Sequence, residues 1–265
     1  MTAKYDSIGL NYNKTRKADP FIAECLFTNL NPKADGVYLD IGCGTGNYTN
    51  ALQKKGFRFI GIDPSNKMLE RAKLKNPNID WRQGQAENTK IKPNSIDGIM
   101  ASLTIHHWKD FEQGFSELYS ILKPNGTIVI FTSTPKQMKG YWLNHYFPKM
   151  LEDSMTQMPS LKTIENVMNH SGFLISKTEI YNVKPDLKDL FLYCGKHNPK
   201  LYLSPKIRQG ISSFSSLANT TEVETGLIEL HKDIANNTIQ KIINSFKNDL
   251  GDYLFIIGKK PLDSI

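Results

Sequence analysis

Residues 36–46 read GVYLDIGCGTG, an apolar strand running straight into a glycine-spaced turn, and residues 57–63, FRFIGID, form a second apolar run closed by Asp63. Glycine has no Cβ, so Gly42, Gly44 and Gly46 allow a tight turn at the end of a buried strand and a close approach of backbone N–H groups to a ligand. The helix expected from about Asn47 to Lys55 points its positive end at the same place. Asp63 offers two acceptor oxygens suited to the vicinal hydroxyls of a ribose. A Gly-x-Gly pair alone is weak. Here it follows a predicted strand, precedes a helix and stands about twenty residues ahead of an acid, the context that a nucleotide-type motif requires.

Two ligand classes fit this pattern. The spacing Gly-x-Gly-x-Gly is shorter than the Gly-x-Gly-x-x-Gly expected where a pyrophosphate lies on a helix N-terminus, and Asp40 ahead of the glycines would repel a phosphate but suit an amine. An NAD-dependent oxidoreductase is therefore the remote alternative. The stretch LDIGCGTGNYTNAL resembles motif I of class I S-adenosylmethionine-dependent methyltransferases, and IGIDPSNKMLERAK resembles their second strand and the helix after it. IDWRQGQAE, SIDGIMASLTIHHW and LKPNGTIVIFT resemble the third, fourth and fifth strands with their exits. The opening YDSIGLNYNKTR and the later GISSF are similar to small-molecule methyltransferases assigned to antibiotic or secondary-metabolite pathways.

The resemblance implies a Rossmann-like, seven-stranded, mostly parallel α/β sheet with one antiparallel strand, and S-adenosylmethionine as cofactor with S-adenosylhomocysteine as product. It places Asp40 at the methionine end of that cofactor, Asp63 and Pro64 at the ribose, and Met68, Gln85 and the Ala86 backbone N–H near adenine. At Gln85 the family usually carries an acid. Ser102, Tyr12 and Arg16 join the cofactor-binding set, Arg16 because a guanidinium fork suits a carboxylate. Cys43 fills a variable position of the motif and reads as a packed small residue rather than a nucleophile.

Strand and helix signals alternate along the chain, which implies parallel strands with right-handed crossovers. Asp19-Pro20 opens a first helix with Phe21, Ile22, Leu26 and Leu30 as its apolar stripe. Phe111, Phe115, Leu118, Tyr119 and Leu122 recur at helical spacing until Lys123-Pro124-Asn125-Gly126 turns the chain into TIVIFT. A helix over 160–170 leads to a sixth strand, FLISKTEIY. The next convincing strand is DYLFIIG, at 252–258, so 184–250 reads as an inserted, mainly helical substrate cap, with helical signals at Leu187–Tyr193 and from Thr221, where Thr221-x-x-Glu224 forms a capping box. The expected organisation is a lid over 1–18, which includes Tyr5, a core over 19–183 and 251–265 with a cap segment at 134–160, and the cap at 184–250. Tyr141, Trp142, Tyr146 and Phe147 read as core of that cap.

Composition narrows the alternatives. The chain has 265 residues, a net charge of +7 and three cysteines without metal-ligand spacing, so no metal site or disulfide framework is indicated. Basic residues are spread over both halves, and the densest cluster, Lys67–Lys75, falls at the spacing of a solvated helix face, so no nucleic-acid partner is expected. No signal-peptide or membrane-spanning stretch stands out, which points to the cytoplasm. His106 and His107 follow the fourth strand at the ligand-binding edge of such a sheet, where an imidazole can act as general base; His107 is the stronger catalytic candidate, and Trp108 reads as wall. The function expected is SN2 transfer of a methyl group to a small molecule. The alternatives are a nucleic-acid methyltransferase, although ASLTIHHW lacks an Asn/Asp-Pro-Pro-Tyr/Phe pattern, and a non-enzymatic adenosyl-ligand binder.

Overall fold

A computed structural model describes residues 15–262; Tyr5 and Tyr12 lie outside the described residues. Seven strands form one sheet: β1 (Val37–Ile41), β2 (Arg58–Asp63), β3 (Asp80–Gln83), β4 (Ile96–Ser102), β5 (Leu122–Thr132), β6 (Leu174–Tyr181) and β7 (Tyr253–Lys259). Their spatial order is β3-β2-β1-β4-β5-β7-β6. β7 runs antiparallel between β5 and β6 and the β1–β5 pairings are parallel, as expected. In register, Asp40 lies beside Gly61 and Met100, which brings the carboxyl ends of β1, β2 and β4 to one edge.

Strand alternation sorts the apolar residues onto two faces. Leu39, Ile128, Ile130 and Ile256 pack with Phe115, Leu118, Ile164 and Met168 of the helices Phe111–Ile121 and Leu161–His170. On the other face, Tyr38, Val129, Phe131 and Phe255 join Ile22 and Leu26 of helix α1 (Pro20–Leu30). Trp142, Phe147 and Tyr202 belong to that same cluster, so the predicted cap has no core of its own and shares that of the sheet.

The Asp19 carboxylate caps α1 by accepting from the N–H groups of Phe21 and Ile22 at 3.0 and 3.1 Å. Its other oxygen accepts from the Lys188 N–H at 2.9 Å, so the cap also ties down the segment between β6 and β7. Phe21, expected in the buried stripe, is 48% exposed; it lies at the edge of that stripe, against Tyr181 and under the Lys184 ammonium.

Three local expectations are corrected. Leu187–Tyr193 is not helical: the Leu190 N–H donates to the Thr15 carbonyl at 3.1 Å and Asp189 is drawn into an ion pair, so tertiary bonds replace helical ones. The helix Thr220–Ala235 is capped by Asn219, which accepts from the Glu222 N–H at 2.7 Å, rather than by Thr221. Lys123–Gly126 does not precede β5 but bulges within it, where the register jumps from Ile96 opposite Leu122 to Gly98 opposite Thr127 and Asn125 takes φ 64°.

Replacing Asp19 with alanine removes a helix cap and the Lys188 anchor together. The expected loss is about 2 kcal/mol, measured by urea unfolding, against well under 1 kcal/mol for an exposed carboxylate such as Glu24.

Candidate functional site

The glycine turn follows β1 with Gly42, Gly44 and Gly46 at φ 71°, 53° and 70°, the left-handed region that glycine enters most readily. A Cβ on Gly42 would collide with Thr104, and one on Gly46 with the Trp81 ring, so these two positions are closed by the protein itself. Among the described residues a Cβ on Gly44 would meet nothing within 4 Å.

The expected role of the turn amides needs correction. The N–H groups of Gly42 and Cys43 donate to the Ile62 carbonyl at 2.8 and 3.0 Å, that of Gly46 to Cys43, and that of Gly44 to the Asp63 carboxylate at 2.8 Å. These amides hold the turn against β2. They do not form an anion cradle. The other oxygen of Asp63 accepts from the Ser65 N–H at 2.9 Å, at the cap of helix Asn66–Lys75.

Lys75 lies on the exposed helix face expected of it and adds contacts that its spacing does not show. Its ammonium donates to the Thr45 carbonyl at 3.0 Å and to the Thr45 hydroxyl and Asn47 side chain at 2.7 Å. Burial and the Arg71 charge lower its pKa to about 8. From the exposed face of its helix it clamps the glycine turn.

A cleft of about 610 Å³ opens over this turn, lined by Gly42, Cys43, Gly44, Asp63, Met68 and Ser102. Among the described residues the Ser102 hydroxyl, buried there, has no hydrogen-bond partner. Arg16, Tyr48, Leu103, His107 and Asp189 also line it. Arg16 forms a two-oxygen ion pair with Asp189, which also accepts from the Tyr48 hydroxyl at 3.1 Å. Asp189 carries no sequence motif, and its distance along the chain from the glycines hides its place here.

Several predicted positions stand off the cleft wall. Asp40 is buried behind the turn and accepts from the Thr49 hydroxyl at 2.6 Å. Burial, opposed by that bond and reinforced by Asp63, raises its pKa to about 7. Gly46 packs on Trp81, Pro64 and Gln85 are exposed, and Ala86 is buried in the sheet core. Burial and the charges of Asp40 and Asp63 push the Cys43 thiol well up, which agrees with a packing role.

A second cavity, about 760 Å³, shares Arg16, Leu103 and His107 with the first. His106 lines it too, and the two imidazole rings stand 3.9 Å apart. Between the cavities Leu103 takes φ 52°, a strained state for a leucine, with its N–H donating to the Phe131 carbonyl. Met138, Met158, Phe191, Leu192, Ile211 and Leu217 form much of the apolar wall. Of the four aromatic residues predicted for the cap, Tyr141 reaches this cavity, whereas Trp108 packs against Phe111 and Phe115 instead of forming its wall. Ile211–Ser213 of the GISSF stretch also line it. Among the described residues no group of side chains could hold a metal, and no helix is long and apolar enough to cross a membrane.

Comparison with known proteins agrees with this architecture. A methyltransferase domain profile matches residues 39–130. The chain is 34% identical to a candidate methyltransferase from an antibiotic biosynthesis pathway of Anabaena variabilis, whose crystal structure superposes with a TM-score of 0.82 over 92% of this chain and 98% of that one. It is 30% identical to an uncharacterised methyltransferase of Alkaliphilus oremlandii, over 62% of this chain and 68% of the relative. A demethylmenaquinone methyltransferase of Oceanobacillus iheyensis is 27% identical over 73% of this chain and 82% of its own length. The chain belongs to the class I S-adenosylmethionine-dependent methyltransferases.

The two glycines give a paired test. Gly46→Ala meets both the left-handed φ and the Trp81 ring, so it should lower stability by about 3 kcal/mol in denaturant unfolding. Gly44→Ala meets only the backbone cost, about 1 kcal/mol, but should weaken S-adenosylhomocysteine binding in calorimetry because its methyl enters the cleft.

Asp40 gives a pH test. With a folded pKa of about 7 against 3.8 for an ordinary aspartate, the folded state keeps a proton that the unfolded state has released between those limits. Its destabilising contribution is therefore absent below about pH 4, grows as pH rises through 7 and is complete above it. Unfolding of wild type and Asp40→Asn at pH 5 and pH 8 should show the variant gaining stability relative to wild type at the higher pH.

Proposed function

We propose that the protein methylates a small, largely apolar molecule, with the cofactor in the 610 Å³ cleft and the acceptor in the 760 Å³ cavity. The observation that carries this reading is the shared wall: Arg16, Leu103 and His107 border both spaces, so a donor and an acceptor can meet beside one imidazole. An apolar cavity suits a small molecule better than a nucleic-acid strand, which would need a basic, aromatic-lined groove. The named demethylmenaquinone relative acts on an acceptor of compatible character.

The cleft fits an adenosyl sulfonium ligand better than a dinucleotide. The amides of Gly42, Cys43, Gly44 and Gly46 are already satisfied, while the Asp63 and Asp189 carboxylates, with further lone pairs beyond their present bonds, and the Ser102 hydroxyl, which has no partner among the described residues, suit hydroxyl, amine and sulfonium groups. Asp63 would receive the ribose hydroxyls with Pro64 beside it, and Met68 would pack on adenine, with Gln85 and the Ala86 N–H at the ring edge. Gly44 would leave room for the ligand, bordered by Cys43. Asp40 would act on the ammonium from behind the turn, through Thr49 or water. Arg16, already paired with Asp189, would also present its guanidinium to the carboxylate. When bound, S-adenosylmethionine supplies an activated methyl group open to in-line displacement.

For this chain's residues the main work is then positioning, which can be worth roughly 7 to 11 kcal/mol in the best cases. His107, with His106 as its neighbour, would take the proton from a hydroxyl or carbon acceptor. Residues 134–160 and 184–250 would form the cap, since most of the apolar wall comes from them.

A methyl-transfer screen by mass spectrometry over small aromatic and quinol acceptors tests the activity; failure to bind S-adenosylhomocysteine in calorimetry would sink the reading. Asp63→Ala should lower that affinity at least tenfold, equivalent to about 1.4 kcal/mol or more. His107→Ala should slow single-turnover methyl transfer by about 10²-fold or more while leaving cofactor affinity within threefold.

A further inference from the structure

A buried hydroxyl pair stands in the wall of the acceptor cavity. Ser154, on the helix Pro148–Thr156, and Ser213, opening a π turn over Ser213–Leu217, both line the cavity, with their hydroxyl oxygens 2.8 Å apart. The Ser154 oxygen also lies 2.7 Å from the Met150 carbonyl. A carbonyl cannot donate, and a serine hydroxyl carries one proton. Ser154 therefore gives its proton to Met150, and the bond between the serines is donated by Ser213.

This assignment leaves neither serine a proton for the cavity, while the Ser213 oxygen keeps acceptor lone pairs. The wall around it is largely apolar, with Met158, Ile211 and Leu217, and carries Gln157 and Ser212 as its polar neighbours. A ligand that fills this space without donating a hydrogen bond strands a desolvated acceptor, which is unfavourable. The backbone supports the placement: the Ala218 N–H donates to the Ser213 carbonyl at 3.0 Å, closing a wide i→i+5 turn of a kind that recurs at functional sites.

We propose that Ser154 and Ser213 form a specificity subsite for a neutral hydrogen-bond donor, a hydroxyl or N–H, on an otherwise apolar acceptor molecule. The assignment rests on the reading of this cavity as the acceptor chamber. Ser213 makes the contact; Ser154 is a positioning residue that fixes which way the Ser213 proton points.

The probes are 2-naphthol, which donates, and 2-methoxynaphthalene, which only accepts, each titrated by calorimetry into protein saturated with S-adenosylhomocysteine. Wild type should bind 2-naphthol about tenfold tighter, the ratio set by one matched hydrogen bond. Ser213→Ala should remove the preference by weakening 2-naphthol. Ser154→Ala should reduce it by the opposite route, tightening 2-methoxynaphthalene, because the Ser213 proton is released toward the cavity. Thermal melts on both variants verify the fold. Equal affinities in wild type, or a preference that survives Ser213→Ala, would overturn the subsite and leave the chamber standing. Binding of neither probe would overturn the chamber and the subsite with it.

Discussion

The carboxylate of Asp63 is the junction on which the rest of the site depends. By accepting from Gly44 on one oxygen and from Ser65 on the other, it fixes the glycine turn after β1 to the end of β2 and to the start of the next helix. That helix returns the constraint from its far end, where Lys75 holds Thr45 and Asn47. Asn47 in turn donates to the Arg16 carbonyl at 3.0 Å, and Arg16 pairs with Asp189. One continuous chain of polar contacts thus runs from the second strand to the segment that walls the second cavity. Apart from the exposed Lys75–Asn47 bond, these links are partly or wholly shielded from water, so losing one strands its partner, a larger cost than the bond itself contributes.

How much of this was legible depended on whether the determining contacts are local. The strands, their order of appearance, the turn and Asp63 could be read because a buried parallel strand, a glycine at positive φ and a terminal acid each leave a mark within a few residues. Asp189 left none: its role is set by Arg16 and Tyr48, far away in sequence, and Leu187–Tyr193 accordingly carries helical apolar spacing but no helix. Lys75 was legible in part: its spacing gives the solvated face on which it lies, and only the fold shows Thr45 beneath it. The bulge at Lys123–Gly126 and the cap at Asn219 are smaller shifts, where strand pairing and a better capping side chain moved an edge. Site residues standing off the cleft wall, such as Asp40 and Gln85, show that a motif position and a lining position are different properties.

The second cavity owes its walls to a shared core. Since Trp142, Phe147 and Tyr202 pack in one cluster with Phe131 and Phe255 of the sheet, the segments around that cavity are not a separate body hinged on the fold. Their rigidity is that of the sheet face itself. The strained Leu103 stands between the two cavities, held by its bond to Phe131, so the partition between them is anchored in β5.

The position of β7 carries a consequence for how the chain reaches this state. The last strand in sequence is the next to last in space, lying between β5 and β6. During synthesis β5 therefore leaves the ribosome with an open edge, and β6 cannot join the sheet until everything between β6 and β7 has been made. These long-range pairings are slow because the connecting loop must close first. The residues that wall the second cavity are thus threaded between two strands that await a third, and the chamber can take its final form only when the sheet closes.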